Sequence, residues 1–275
     1  MFDKTNFAGL KDHIAETNAL KRQDVWYYSV SKINENLKQE FDRDGNALKA
    51  SKNPRNPMFG KPVDEIIKAW EAKGAVTRQR GMWCDEYVGY LLEGQEAKAK
   101  MMRLDHPEPE MENKFNCIDD AIETLVKKAG MELIARETEL MGVFKTRLGE
   151  IGVQGRFDAL FRWKQTNDSR YELVLIDWKN ADNITKENKY GGKLLGPLSG
   201  FDECDLNIYS NQLGIYEMIL RQSYGVDGPI NKYIGQFPAE GGFRLHKPAD
   251  IVDYETFIKI LEYVKQKEEL KKTMK

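Results

Sequence analysis

The sequence predicts an α/β protein, with a central mixed β-sheet flanked by helices and a mainly helical region in front of it. Three observations carry this. Apolar residues recur at helical spacing through most of residues 1–128. The texture then switches to three strand-like segments joined by short turns rich in Gly, Asn, Asp and Ser. A long helix, another strand, a short return strand and a charged terminal helix follow, which supplies helices for the faces of the sheet.

In chain order, NFAGLKDHIAETNAL is amphipathic, and YYSVSKINENLKQEF offers Ser29 or Ser31 as a cap before an apolar-periodic run. The Gly, Asn and Pro of DGNALKASKNPRNPMFGKP predict a loop. Periodicity returns in VDEIIKAWEAKG and MWCDEYVGYLLEGQEAKAKMMRL, stops at DHPEPEMENK, and resumes in CIDDAIETLVKKAG, where Gly130 supplies a stop.

The segments MELIARETELMGVFK, EIGVQGRFDALFRW and YELVLIDWKN predict an antiparallel meander. In the third, Leu173 and Leu175 lie on one parity and Val174 and Ile176 on the other, as in a central strand covered on both faces. YGGKLLGPLSG is a Gly-rich loop without the residue order of a phosphate-binding P-loop. The helix LNIYSNQLGIYEMILRQSYG follows it, then the strand INKYIGQF, the return GFRLHKP, and a helix from about Tyr254 to Lys271.

With 275 residues, 41% hydrophobic and 31% charged, the chain can bury one substantial core. No run approaches the roughly 18 to 20 apolar residues that span a bilayer, and the first residues carry acids and amides where a signal peptide needs an apolar stretch. A cytoplasmic protein is expected. Cys84, Cys117 and Cys204 are far apart and form no CxxC pair, so neither a zinc ribbon nor a four-cysteine iron–sulfur cluster is expected, and buried, reduced thiols are. The net charge of -2 argues against coating nucleic acid by bulk electrostatics. It leaves room for a local basic groove, for which Arg43, Lys49, Lys52, Arg55, Lys61, Lys73, Arg78 and Arg80 are candidates.

The residues that suggest chemistry are polar groups at the ends of apolar strands, where a carboxylate is costly to desolvate unless it holds a cation or a hydrogen-bond network. Asp177 and Lys179, two residues apart, project to one face at the end of LVLIDWKN. Asp158, in GRFDALF, lies one strand earlier, and pairing across the loop QTNDSR lets the two carboxylates converge. Such a pair suits Mg²⁺, or Mn²⁺ in its place, with the backbone carbonyl of Trp178 as a further oxygen ligand. The ion would polarise a phosphate, and Lys179 would stabilise developing charge or position and deprotonate the attacking water. An ordinary Asp-x-Lys ion pair is the alternative reading of the tripeptide alone.

GRFDALF followed by LIDWKN resembles the core of the PD-(D/E)xK nuclease superfamily, especially its RecB-type exonuclease branch and phage-encoded members of it. The resemblance covers roughly residues 26 to 237 and is strongest between 153 and 220. It implies a restriction-endonuclease-like core. It also implies roles at the site for Gln212 and Tyr216 of SNQLGIYEMIL, which match the branch's Gln-x-x-x-Tyr helix. The branch's metal-binding histidine, in Gly-x-x-x-His, corresponds here to Asp85 of RGMWCDEYVGYLL, with Glu86 beside it as a competitor. A further metal-binding acid before the Asp158 strand corresponds to Glu139 or Glu137, and Glu139 is preferred. Asn180 stands where the branch usually has Thr or Ser after the lysine.

Further implications of the resemblance are hydrolysis of DNA, single-stranded or with an accessible end, and replication or recombination proteins as partners. Residues 1–128 are expected to form one wall of the substrate groove and 129–275 the nuclease core, together one compact unit. Two rival readings use the same residues: an inactive nuclease-fold protein that binds nucleic acid or a protein partner, and an interaction protein. Metal binding and cutting separate all three.

Overall fold

In the computed structural model, residues 2–164 and 170–274 are described. The predicted loop QTNDSR, apart from Arg170, lies outside the described residues. The expected architecture is present: a central mixed sheet flanked by helices, with a helical N-terminal region.

The chain opens with α1 (Leu10–Ala19), β1 (Tyr27–Ser29) and α2 (Val30–Leu37). Of the two candidate caps, Ser29 is the one used: its hydroxyl accepts the Lys32 N–H at 3.1 Å. The three residues before α2 form a parallel strand beside Gly152–Gln154, a pairing that local periodicity did not reveal.

The stretch expected to be a loop holds α3 (Arg43–Lys52) in its first half. Asp42 caps it by accepting the Gly45 N–H at 2.9 Å, and Ala47 and Ala50 bury against Ile66. Cap and burial together outweigh the helix-weakening Gly45. The two periodic segments that follow are one continuous helix as far as α4 (Val63–Leu92), and α5 (Glu96–Asp105) begins after Gly94. α6 (Pro109–Ile122) starts earlier than its apolar pattern suggests, because a proline is tolerated in the first turn. It continues as a π-helical turn, Glu123–Lys128, and stops at Gly130, as predicted.

Next come β2 (Glu132–Thr146), β3 (Gly149–Lys164) and β4 (Tyr171–Lys179), antiparallel in succession as the meander requires. α7 (Asp205–Tyr224) ends at Gly225, whose φ of 68° is the left-handed conformation common at helix C-termini. β5 (Ile230–Gln236) then lies parallel to β4, β6 (Arg244–His246) turns back along β5, and α8 (Tyr254–Thr273) closes the chain.

Alternation along β4 divides the core. Leu173 and Leu175 pack with residues of α1, α2, α7 and α8, whereas Val174, Ile176 and Trp178 pack with residues of α4, α5 and α6. Phe2, Phe7, Leu10 and Ile14 belong to the first of these clusters, so the start of the chain shares a core with α7 and α8. Cys84, Cys117 and Cys204 are buried and unbridged. Among the described residues no helix is long and apolar enough to cross a membrane.

Candidate active site

The sixteen-residue strand β3 has two different neighbours on one edge. β2 runs along its other edge from Gly149 to Arg162, while this edge pairs with β1 at Gly152–Gln154 and with β4 at Ala159–Lys164. Residues 155–158 lie between the two pairings. Gly155 fits there because a Cβ would come within 2.6 Å of Val30 and 2.8 Å of Tyr216. Extending the β3–β4 register by one step sets Asp158 opposite Asp177. The carboxylate of Asp158 then takes over the ladder, accepting the Trp178 N–H at 2.7 Å.

Asp177 is buried, its side chain only 1% exposed, and faces the α7 side of the sheet. Gln212 on α7 donates from Nε2 to Asp177 Oδ1 at 3.0 Å. The other oxygen, Oδ2, lies 2.5 Å from Lys179 Nζ, out of hydrogen-bond alignment, and among the described residues no other donor reaches it. Lys179 emerges on the same face as Asp177, as their spacing predicts, and its ammonium lies 4.8 Å from the centre of the Tyr209 ring. Burial alone would lower the Lys179 pKa, but the charges of Asp177 and Asp158 outweigh it and hold the value above the ordinary one. Tyr216, one turn after Gln212, donates to the Arg156 carbonyl at 2.8 Å, on the stretch of β3 between its pairings with β1 and β4. Burial, then the charge of Asp177, raises its phenol pKa.

The structure thus gathers Asp158, Asp177, Lys179, Gln212 and Tyr216 from two strands and one helix. Tyr209 was missed in the sequence, although it stands three residues before Gln212, on the same helical face.

Desolvation, then repulsion from Asp177, pushes the Asp158 carboxyl well above its usual range, against the opposing pull of Lys179. Asp85, on α4, belongs to the same field. It keeps an exposed surface, yet the protein crowded around it, and next the charge of Glu137, push its carboxyl up to about 6. Glu86, the neighbouring candidate, is instead engaged by the Tyr90 hydroxyl.

On β2 the pairs Arg136↔Ala159 and Thr138↔Phe157 set Glu137 opposite Asp158. Glu139, the preferred acid, is exposed and opposite Arg156, so the acid beside Asp158 is Glu137. The parity argument could not separate them, because both fall on one face and only the register distinguishes them. Glu137 also pairs with Arg156 at 2.8 Å and adopts a φ of 47°, a strained value for a residue with a side chain.

Among the described residues no three His, Cys, Asp or Glu side chains are gathered as a ready metal cage. The fit to a hard cation rests on charge and donor type. Two facing carboxylates have one ammonium between them, and the native fold disfavours ionising Asp158. A divalent cation that keeps several waters needs only one or two such carboxylates. Trp178 offers a third oxygen, because the Lys179 carbonyl accepts the Phe237 N–H on the β5 side, which leaves the Trp178 carbonyl facing the β3 side with Asp158.

No protein-family profile matches the chain, and no curated protein matches it in sequence. Solved structures similar to it include the following two. The crystal structure of SSO0001 is 12% identical, over 94% of this chain and 83% of that one, with a TM-score of 0.35. The crystal structure of a Eubacterium rectale protein named "Putative exonuclease" is 17% identical, over 66% of this chain and 64% of that one, with a TM-score of 0.34.

Proposed function

We propose that this chain is a metal-dependent nuclease that hydrolyses phosphodiester bonds in DNA and acts from an accessible end. The observation that carries the reading is the meeting of Asp158 and Asp177 at the end of the β3–β4 ladder, with Lys179 on the same face. An Asp-x-Lys ion pair needs no second carboxylate opposite it, nor a glutamine from another element fixing its acid.

Asp158, Asp177 and the Trp178 carbonyl are the groups that would hold Mg²⁺ or Mn²⁺. Bound there, such an ion supplies Lewis-acid polarisation of the phosphate and a lowered pKa for a coordinated water. Gln212 fixes the orientation of the Asp177 carboxylate, and the Trp178 N–H fixes that of Asp158. Lys179, held protonated by its neighbours, presents an ammonium to the negative charge that grows on the phosphate oxygens during attack. Tyr209 braces that ammonium from its aromatic face. Preference for DNA and for ends rests on the resemblance of the GRFDALF, LIDWKN and Gln-x-x-x-Tyr segments to end-processing exonucleases.

The test is degradation of end-labelled linear DNA and closed circles, single- and double-stranded, with Mg²⁺, Mn²⁺ or EDTA. Metal-dependent cutting that is lost in Asp177→Asn and Lys179→Ala, with circles spared, is the expected result. A folded wild type that cuts nothing with either metal would refute the reading.

A further inference from the structure

A groove of about 520 Å³ adjoins the site on the opposite face of the sheet, between α4, α6 and the segments that follow β4 and β5. Its volume falls within the roughly 300 to 1,000 Å³ of sites that enclose a small molecule. The residue that joins it to the site is Asn180, next in the chain to Lys179 and part of the groove wall.

The wall is built, not incidental. Lys114 is almost wholly buried and donates to the Phe237 carbonyl at 3.0 Å, with Asp182 at 3.3 Å. Asp182 in turn accepts the Ala239 N–H at 2.9 Å. Arg80 is fixed by Glu110 at 2.6 Å. Against this frame two groups are left over. Lys73 lines the groove with no ion pair among the described residues. The Asn180 Oδ1 atom is buried and has no hydrogen-bond donor among the described residues, a costly condition for an acceptor.

A ligand that completes this wall must bring negative charge to Lys73 and a donor to Asn180. A free chloride or sulfate brings only the first. A nucleotide brings both, as a phosphate together with a base N–H, or in RNA the sugar hydroxyl, and α4, which carries Asp85 beside the site, carries Lys73 along the groove, so it runs from one to the other. We propose that this groove seats the nucleotide adjoining the one cut, with its phosphate against Lys73 and a donor on Asn180 Oδ1. The proposal deepens the nuclease reading and rests on it.

The test is binding, kept apart from cutting. Affinity for a fluorescein-labelled single-stranded 12-mer, as DNA and as RNA, is measured by anisotropy in EDTA across a salt series. The wild type is compared with Lys73→Ala, Asn180→Leu and, as a charge control on α8, Lys259→Ala. Lys73→Ala should weaken binding about five- to tenfold and lower the salt slope by about 0.7, the value of one phosphate contact on a single strand. Asn180→Leu should weaken binding while raising the melting temperature, since it removes a buried acceptor that only the ligand satisfies. A purely structural Asn180 would not couple those two changes in opposite directions. Equal affinities for wild type, Lys73→Ala and Asn180→Leu, or no strand binding by the wild type, would overturn the groove. A wild type that binds through Lys73 and Asn180 yet cuts nothing with metal keeps the groove and removes the nuclease reading.

Discussion

The Trp178 N–H donates to Asp158 Oδ2 across 2.7 Å, so a side chain of β3 continues the hydrogen-bond ladder where its backbone has left it. This bond makes Asp158 structural as well as a candidate ligand, and the two roles separate by substitution. Asp158→Asn keeps an oxygen for the Trp178 N–H and removes one of two facing negative charges. In EDTA the variant should melt higher than the wild type, because burial and Asp177 both oppose the Asp158 charge. If the proposed site binds Mn²⁺, the wild type should be stabilised by it and the variant should not, and phosphodiester cleavage should fall by at least about 10²-fold. Differential scanning fluorimetry with and without Mn²⁺ reads the first two effects; an Mn²⁺ shift equal to that of the wild type would remove Asp158 from the ligand set.

The two residues of the Gln-x-x-x-Tyr pattern have different partners and should fail differently. Gln212→Ala leaves Asp177 Oδ1 buried without its donor, a loss of about 1 to 3 kcal/mol, and frees the carboxylate to rotate. Both stability and cleavage should drop. Tyr216→Phe removes one bond to the Arg156 carbonyl while keeping the ring packed, which costs about 1 kcal/mol. Its cleavage rate should stay within about tenfold of the wild type, a bound set by that single lost bond. Equal kinetic losses in the two variants would place Tyr216 at the reacting atoms rather than beneath them.

What was legible in the sequence was whatever repeats at short range. The double-faced apolar pattern of YELVLIDWK placed β4 at the centre of the sheet, and the spacing of Asp177 and Lys179 fixed their common face. The spacing of Gln212 and Tyr216 likewise put both on one side of α7. What was not legible depended on long-range register. β1 has three residues and is a strand only because β3 offers it an edge. Glu137 and Glu139 share a parity, and only the pairing with β3 shows which one faces Asp158. α3 was concealed by Gly45 and by the proline-rich stretch after it, and is held by its Asp42 cap and its contact with Ile66.

Glu137 carries a testable backbone cost. Its φ of 47° is one that residues with a Cβ adopt at a penalty of roughly 1 to 2 kcal/mol, and that glycine adopts freely. Glu137→Gly should therefore be more stable than Glu137→Ala by about 1 kcal/mol, although glycine is ordinarily the weaker strand residue. Urea denaturation of the two variants measures the difference. The opposite order would mean that the backbone relaxes to an ordinary strand conformation once the Arg156 ion pair is gone.

The same crowding of acids fixes the sign of the pH dependence. Asp85 is pushed up to about 6 and Asp158 is raised well above its ordinary value, whereas both titrate near 3.9 in an unfolded chain. Below about pH 4 both are protonated folded and unfolded, and neither affects stability. As pH rises past the unfolded value the native state retains protons that the unfolded chain has released, so stability falls until the folded values are passed. The metal-free protein should lose stability across this window, which for Asp85 runs from about 4 to about 6. Acids with lowered values, such as Asp182 and Glu262, act with the opposite sign, so the informative quantity is the difference between wild type and Asp85→Asn. That difference should favour the variant increasingly up to about pH 6 and then level off. A bound cation reverses the balance, because it binds the ionised carboxylates: Mn²⁺ affinity should rise with pH through the same window, with proton release visible as a buffer-dependent heat in calorimetry. Parallel stability curves for wild type and Asp85→Asn in EDTA would separate Asp85 from the field of Glu137, Asp158 and Asp177 and leave the two strand aspartates to hold the ion alone.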